Sequence, residues 1–103
     1  MRGIGHLKTR AGRCYELAGR LTLANADRPG LVLAHGRVRG RDGSRVDHAW
    51  VEVGDAVYDR TRRDVPYPRA AYRRIMDAAD VQTFTPREGA EQLSAHGHWG
   101  PWE

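Results

Sequence analysis

The sequence predicts a small α+β domain in which an N-terminal helix packs on a short antiparallel sheet and further helices follow. Three observations support this fold class. Apolar residues recur at helical spacing around Cys14, β-rich segments separated by short turns occupy the middle of the chain, and prolines introduce helical segments near its end. The 103 residues suit one domain over 1–103, because dividing them would leave neither half enough buried surface.

The first predicted helix runs over about residues 12–24. Leu17 and Leu21 recur on one face of it, and Cys14 lies one turn before Leu17. The cysteine therefore falls in the first turn of the helix. Residues 25–30 contain Asp-Arg-Pro-Gly, a set of residues that ends a helix and turns the chain.

A three-stranded antiparallel meander is predicted next. Residues 31–39 are rich in β-forming residues, and a turn built around Asp-Gly separates them from a second strand at 46–53. The dipeptide Gly-Asp at 54–55 then leads into a third short strand at 56–60. These strands would form the sheet on which the first helix packs.

A second helix is expected after the meander. Pro68 suits its first position, and Tyr72, Ile75 and Met76 would share its buried side.

A third helix and an aromatic tail complete the predicted fold. Thr85, Pro86 and Glu88 show the pattern of an N-cap, a first-turn proline and a capping-box glutamate. This helix should end near residues 96–97. The tail at 98–103 carries two indoles, which we expect to pack back on the domain because they expose much apolar area.

Charge and hydropathy define the expected environment. No apolar run approaches the roughly 20 residues that span a bilayer, and the N-terminal segment lacks the apolar stretch of a secretory signal. We therefore expect a cytoplasmic protein without a membrane partner, and the oligomeric state stays open.

Arginine supplies nearly all of the positive charge, and the net charge is +4 with Lys8 as the one lysine. Arginine forks bind phosphates and carboxylates, so a non-enzymatic module that holds nucleic acid or an acidic protein is the alternative function. A genome rich in G and C produces the same bias without a binding site. The arginines form three clusters: Arg37, Arg39 and Arg41; Arg60, Arg62 and Arg63; and Arg73 and Arg74.

Cys14 is the single cysteine, which excludes an internal disulfide and leaves packing, metal ligation or thiolate chemistry. The first turn of a helix favours a thiolate, because its unpaired backbone N–H groups and the helix dipole attract negative charge. Arg13 adds positive charge beside the thiol, and the same N–H groups offer an oxyanion hole. The alternative is a cysteine that packs as a small buried hydrophobe.

The predicted hairpin brings two further residues together. If residues 54–55 form a two-residue loop, alternation of side chains places His48, Trp50 and Asp59 on one face. His48 and Asp59 are then diagonal neighbours about 7 Å apart at Cβ, close enough for a hydrogen bond between their side chains. Acyl transfer requires such an arrangement, with Cys14 as nucleophile, His48 as base and Asp59 as orienting acid.

These segments resemble the transglutaminase-like and papain-like cysteine hydrolases. Cys-Tyr-Glu-Leu at 14–17, His-Ala-Trp-Val-Glu-Val at 48–53 and Val-Tyr-Asp-Arg-Thr at 57–61 follow the chain order of the family's Cys, His and Asp segments. Members commonly carry an H-x-W-x-E strand and a following strand that ends in Asp-Pro-Thr, where this chain has Arg60 in place of the proline. The resemblance covers about residues 10–64, and small proteins of actinobacteria and their phages look similar.

The resemblance implies a minimal papain-like core and a hydrolase that acts on a protein or peptide. The bond would be an amide or isopeptide bond, opened through a thioester on Cys14 without a cofactor or metal, with proteolysis or deamidation favoured over crosslinking. Papain-like members place a Gln before the cysteine to complete the oxyanion hole. This chain has none there, so backbone amides, Thr9 or His6 would have to serve.

Three residues are expected to bind the substrate: Tyr15, Trp50 and Arg13. Tyr15 equally suits packing. Trp50 and Glu52 are more typical of residues that support the fold or brace His48, since a tryptophan at the centre of a strand is usually in the core.

Two other groups have simpler interpretations. Tyr67 and Tyr72 are expected to be packing residues. His96 and His98, with His35, form a weaker alternative as metal ligands that lacks an obvious fourth ligand.

Overall fold

The structure is a computed structural model that describes residues 13–40 and 42–102. Three helices and five strands follow one another along the chain. In order they are α1 (Cys14–Ala24), β1 (Leu31–Arg39), β2 (Arg45–Val53), β3 (Ala56–Tyr58), β4 (Tyr67–Pro68), α2 (Arg69–Ile75), β5 (Ala79–Phe84) and α3 (Pro86–His96). No helix within the described ranges has both the length and the apolar character needed to cross a membrane.

The five strands form one antiparallel sheet in the order β4-β3-β2-β1-β5. The α+β class is therefore confirmed. The predicted three-stranded antiparallel meander is confirmed as β1-β2-β3, and the sheet is larger than predicted, because β4 and β5 add one strand at each edge. Neither of these two strands was predicted from the sequence. β4 has only two residues, and β5 alternates between half-buried and exposed positions without a strongly apolar face.

The hairpin between β2 and β3 has the predicted two-residue loop. Val53 pairs with Ala56, and Gly54 takes a positive φ of 57°, which glycine adopts without strain. β3 pairs only with Val51–Val53, whereas β2 continues back to Arg45. Among the described residues, the first half of β2 is therefore a sheet edge on this side.

Two apolar clusters cover the two faces of the sheet. Side chains alternate along β2, so that Trp50 faces the α2 side and Ala49 and Val51 face the α1 side. The first cluster consists of Ala34, Val38, Trp50, Val57, Tyr72 and Met76. The second consists of Ala18, Leu31, Leu33, Ala49 and Val51.

The second helix departs from its prediction at two positions. Pro68 is the last residue of β4 and the N-cap of α2, so the first helical residue is Arg69. Tyr72 and Met76 are buried as expected, at 1% and 8% exposure, but Ile75 is 68% exposed. The reason is that α2 is only seven residues long and ends at Ile75, whose side chain projects beyond the core cluster.

The third helix and the tail agree with the sequence. Thr85 Oγ1 accepts a hydrogen bond from the Glu88 N–H at 3.1 Å, and Glu88 Oε1 accepts one from the Thr85 N–H at 2.9 Å. Gly97 ends the helix with a left-handed φ of 75°. In the tail, Trp99 lies against Gly19 and Trp102 packs edge-on against Phe84 with ring centroids 5.2 Å apart.

Candidate active site

Cys14 is the first residue of α1, and it is buried at 7% exposure. The N-cap residue, Arg13, makes no side-chain cap. No N-cap side chain therefore accepts hydrogen bonds from the N–H groups of the first turn. Because these groups carry partial positive charge, the surroundings of the thiol are partly positive.

Cys14 and His48 belong to elements on opposite faces of the sheet. α1 packs on the face of Ala49 and Val51, whereas His48 shares the face of Trp50. Cys14 nevertheless acts on the imidazole, because its hydrogen bonding and negative charge help to raise the pKa of His48.

His48 and Asp59 form the hydrogen bond that the hairpin register predicts. His48 Nε2 lies 2.8 Å from Asp59 Oδ2. The His48 side chain is 12% exposed and that of Asp59 only 1%. Because Asp59 occupies Nε2, Nδ1 is the nitrogen left to face the thiol.

Asp59 is held by more donors than His48 alone. Its Oδ1 accepts from the backbone N–H of Thr61 at 3.1 Å and from the Thr61 hydroxyl at 2.5 Å, and its Oδ2 accepts from the Tyr72 hydroxyl at 2.6 Å. Burial raises the pKa of this carboxyl, but the hydrogen bonds and charge of its neighbours outweigh burial and hold the pKa below its usual value. Asp59 is thus a fixed anion.

The charge state of His48 follows from the same partners. Burial alone lowers the pKa of an imidazole, but the hydrogen bonds to Asp59 and Cys14 and their negative charge raise the pKa of His48 to about 9. His48 is therefore an imidazolium at neutral pH.

Tyr72 was treated at the sequence level as a packing residue, and its hydroxyl contact with Asp59 was missed. The phenol is buried with its ring 5.4 Å from that of Trp50, and burial together with the Asp59 charge raises its pKa above the usual value. Thr61 was also missed, although its place two residues after an aspartate is typical of a turn that returns a hydroxyl to the carboxylate.

Trp50 supports the site from the core. It is 0% exposed, and its indole N–H donates to Glu52 Oε2 at 2.8 Å. Arg73 holds the same carboxylate with contacts of 2.9 and 2.8 Å. Trp50 was also expected to contact substrate; in this structure its ring has no exposed surface and packs 6.0 Å from the His48 ring, as a core residue that braces His48 would.

The other two expected substrate-binding residues lie beside the thiol with other partners. Tyr15 is half-buried and packs edge-on against His35 at 4.7 Å between ring centroids. Its pKa is raised by burial and by the charges of Asp47 and Cys14. Arg13 pairs with Glu16 at 3.1 Å, so its charge is shared with that carboxylate rather than directed only at the thiol.

The three-histidine metal group is not formed. Across 13–40 and 42–102, no three His, Cys, Asp or Glu side chains are grouped to hold a metal ion. His35 packs among aromatic rings, and His98 Nδ1 accepts from the Gly100 N–H at 3.1 Å.

Of the seven described arginines in the three clusters, four have intramolecular partners: Arg39, Arg60, Arg63 and Arg73. Arg60 pairs with Asp64 at 3.5 Å, and Arg63 stacks 3.7 Å above the Tyr67 ring. Arg39 pairs with Asp77 at 2.7 Å. Four residues discussed from the sequence lie outside the described residues: His6, Lys8, Thr9 and Arg41.

A cleft of about 760 Å³ opens on the α2 side of the sheet and reaches the site at His48 and Thr61. Cys14 is buried and does not line this cleft. His48 is therefore the member of the triad that faces the open space.

This chain matches no protein-family model, no curated protein and no solved structure.

Proposed function

We propose that this protein is a cysteine-dependent acyl-transfer enzyme that opens an amide or isopeptide bond through a thioester on Cys14. The observation that carries the proposal is the hydrogen bond of 2.8 Å between His48 Nε2 and the fully buried Asp59, together with the effect of Cys14 on the pKa of His48. A nucleophile, a base and an orienting anion in this order are the groups that acyl transfer requires.

The first half-reaction uses the Cys14 thiolate and the His48 imidazolium. The Cys14 thiolate attacks the substrate carbonyl carbon, and the carbonyl electrons move to oxygen. As the tetrahedral intermediate collapses, the C–N bond breaks and the His48 imidazolium gives its proton to the leaving nitrogen. The products are a free amine and a thioester on Cys14.

The second half-reaction consumes water. Neutral His48 takes a proton from a water molecule as the water oxygen attacks the thioester carbonyl. The C–S bond then breaks, which releases the carboxylic acid and restores the thiolate beside the imidazolium. Hydrolysis, as in proteolysis or deamidation, is proposed in preference to crosslinking.

The first turn of α1 supplies the proposed oxyanion hole. The backbone N–H groups there, including that of Cys14, have no side-chain cap from Arg13. Donors of this kind stabilise the negative oxygen of the intermediate. They would take the part that a Gln before the cysteine plays in papain-like proteins.

A minimal papain-like core is proposed as the finer description of the fold. Its support is the order of the parts along the chain: a nucleophile at the start of α1, then a base on β2, then an acid directly after β3.

An activated ester tests the function without knowledge of the substrate. With p-nitrophenyl acetate, the wild type should release a burst of p-nitrophenolate equal to the enzyme concentration and gain one acetyl group. Peptide mapping should find that group on Cys14, the single cysteine. Cys14→Ala should give no burst, and His48→Gln should give a slow one. Acetylation elsewhere, or a burst that survives Cys14→Ala, would contradict the proposal.

A further inference from the structure

The cleft beside His48 is built from three parts of the chain that meet at the end of α2. The β1–β2 hairpin forms one wall, the segment after β3 forms the second, and the β4–α2 unit forms the third. Its lining residues are Val38, Arg39, Gly40, Val46, Asp47, His48, Thr61, Arg62, Tyr67, Ile75 and Met76. The volume of about 760 Å³ is in the range that accommodates a drug-sized ligand or a few residues of a peptide.

The apolar part of the cleft is unusually open to solvent. Val46 and Ile75 are 44% and 68% exposed, and they account for two of the three exposed large hydrophobic residues in the part of the chain described. The third, Val65, does not line the cleft. Exposed apolar side chains that gather at one concave site favour a binding surface over random placement.

Among the described residues that line the cleft, two arginines differ in whether they have an ion-pair partner. Arg62 is exposed and makes no ion pair with a described residue, whereas Arg39 is committed to Asp77 at 2.7 Å. His48 lies in the same lining, but Asp59 balances its charge at 2.8 Å. Asp47 is the single carboxylate in the lining, and Arg39 shares Asp77 with Arg45, so the arginines leave an excess of positive charge that complements an anionic group.

We propose that the cleft binds a peptide segment of the substrate in which an acidic residue is flanked by apolar residues. The apolar side chains would pack on Val46 and Ile75, and the carboxylate would pair with Arg62. The proposal rests on the proposed acyl transfer only in treating the peptide as part of the substrate, since His48 lines the cleft. Nucleic acid is the less suitable occupant, because a phosphate backbone has no apolar side chains to cover Ile75.

The test measures binding in the Cys14→Ala protein, where turnover cannot interfere. Three short blocked peptides are titrated and followed by backbone amide NMR shifts: Leu-Glu-Leu, Leu-Lys-Leu and Ser-Glu-Ser. The acidic and apolar peptide should bind at least about tenfold more tightly than either of the others, and its largest shifts should fall on Thr61, Arg62 and Ile75.

Matched substitutions separate the cleft from general charge and hydrophobicity. Arg62→Glu and Ile75→Asp should each weaken binding of Leu-Glu-Leu by about tenfold or more. Arg74→Glu and Val65→Asp make the same chemical changes at exposed positions outside the cleft and should leave the affinity unchanged. The inference is overturned if no peptide binds, if the three peptides bind alike, or if the control pair weakens binding as much as the cleft pair.

Two further outcomes keep the cleft and the acyl transfer apart. Peptide binding at the cleft together with no acetylation of wild-type Cys14 would refute the enzyme and leave the cleft standing. Tight, salt-sensitive binding of a short single-stranded oligonucleotide that depends on Arg62 but not on Ile75 would overturn the peptide assignment in favour of nucleic acid.

Discussion

Two histidines on neighbouring strands respond to burial in opposite ways. His35 in β1 and His48 in β2 both lie away from solvent, and burial disfavours a charged ring at each. His48 has Asp59 at 2.8 Å on one nitrogen and interacts with Cys14. His35 Nε2 has no hydrogen-bond partner in the described chain, and its ring is surrounded by Tyr15, Phe84 and Trp102.

The pKa values separate accordingly. That of His35 falls to about 4 because of burial, and that of His48 rises to about 9 because its anionic partners outweigh burial. The comparison shows that the partners, and not the depth of the side chain, decide which histidine is charged. The α1 side of the sheet thus holds a neutral aromatic cluster, and the α2 side holds a charged hydrogen-bond network.

Among these changes, Asp59→Asn should have the largest effect on the difference between the two histidines. The amide keeps the shape of the side chain but removes the charge that stabilises the imidazolium, so the rate of acylation should fall by about 10³- to 10⁴-fold. Asp55→Asn is the matched control, because its side chain is fully exposed, and it should leave the rate unchanged. A normal acylation rate in Asp59→Asn would show that His48 works without the carboxylate.

The same substitution at the two histidines should have unequal effects on stability. His48→Leu leaves the buried Asp59 carboxylate without its charged partner and should lower the free energy of unfolding by about 3 kcal/mol. His35→Leu removes an unpaired buried nitrogen and should change it by less than about 1 kcal/mol. Urea denaturation at neutral pH measures both. Equal losses would mean that packing, and not hydrogen bonding, dominates at both positions.

Tyr72→Phe should have a smaller effect than either change in the triad. It deletes the 2.6 Å hydrogen bond to Asp59 and keeps the ring in the core. A hydrogen bond to a charged group contributes about 1.5–3 kcal/mol, so stability should fall by that amount and the pKa of Asp59 should rise. Tyr67→Phe, a change at the neighbouring ring 5.2 Å away, is the control. If both variants lose the same stability, the Tyr72 hydroxyl does not act through Asp59.

The pH dependence of wild-type stability should show the smallest of these effects. Because the folded pKa of His48 is above its unfolded value of 6.5, its contribution is present below pH 6.5 and is lost as the pH rises through about 9. The folded pKa of His35 is lowered, so the contribution of His35 to stability is present above pH 6.5 and is lost as the pH falls toward about 4. His35→Leu should flatten only the acidic limb of a melting-temperature profile; an unchanged acidic limb would contradict the assignment.

Local signals explain why parts of this fold were predictable. The bounds of α1, β1 and β2, the capping box at Thr85 and the end of α3 near Gly97 depend on residues close in sequence. The contact between His48 and Asp59 was also predictable, because the two-residue loop fixes which side chains share a face. The packing of the tail indoles followed from their apolar area alone.

The remaining features depend on contacts between distant segments. β5 forms because β1 offers it an edge, and nothing in Ala79–Phe84 alone requires a strand there. The hydroxyl of Tyr72 reaches Asp59 only when α2 lies across the sheet. The exposure of Ile75 and the complete burial of Trp50 likewise depend on where α2 ends over the sheet.

The central claim is that His48 is held as an imidazolium between Cys14 and Asp59, and a titration of the histidine side chains by NMR tests it most directly. We expect the ring of His48 to titrate near 9 and that of His35 near 4 in the wild type. In Cys14→Ala, the pKa of His48 should fall and that of His35 should change little, since only His48 loses an anionic partner. A His48 ring that titrates near its ordinary 6.5, with the same midpoint in Cys14→Ala, would contradict the account.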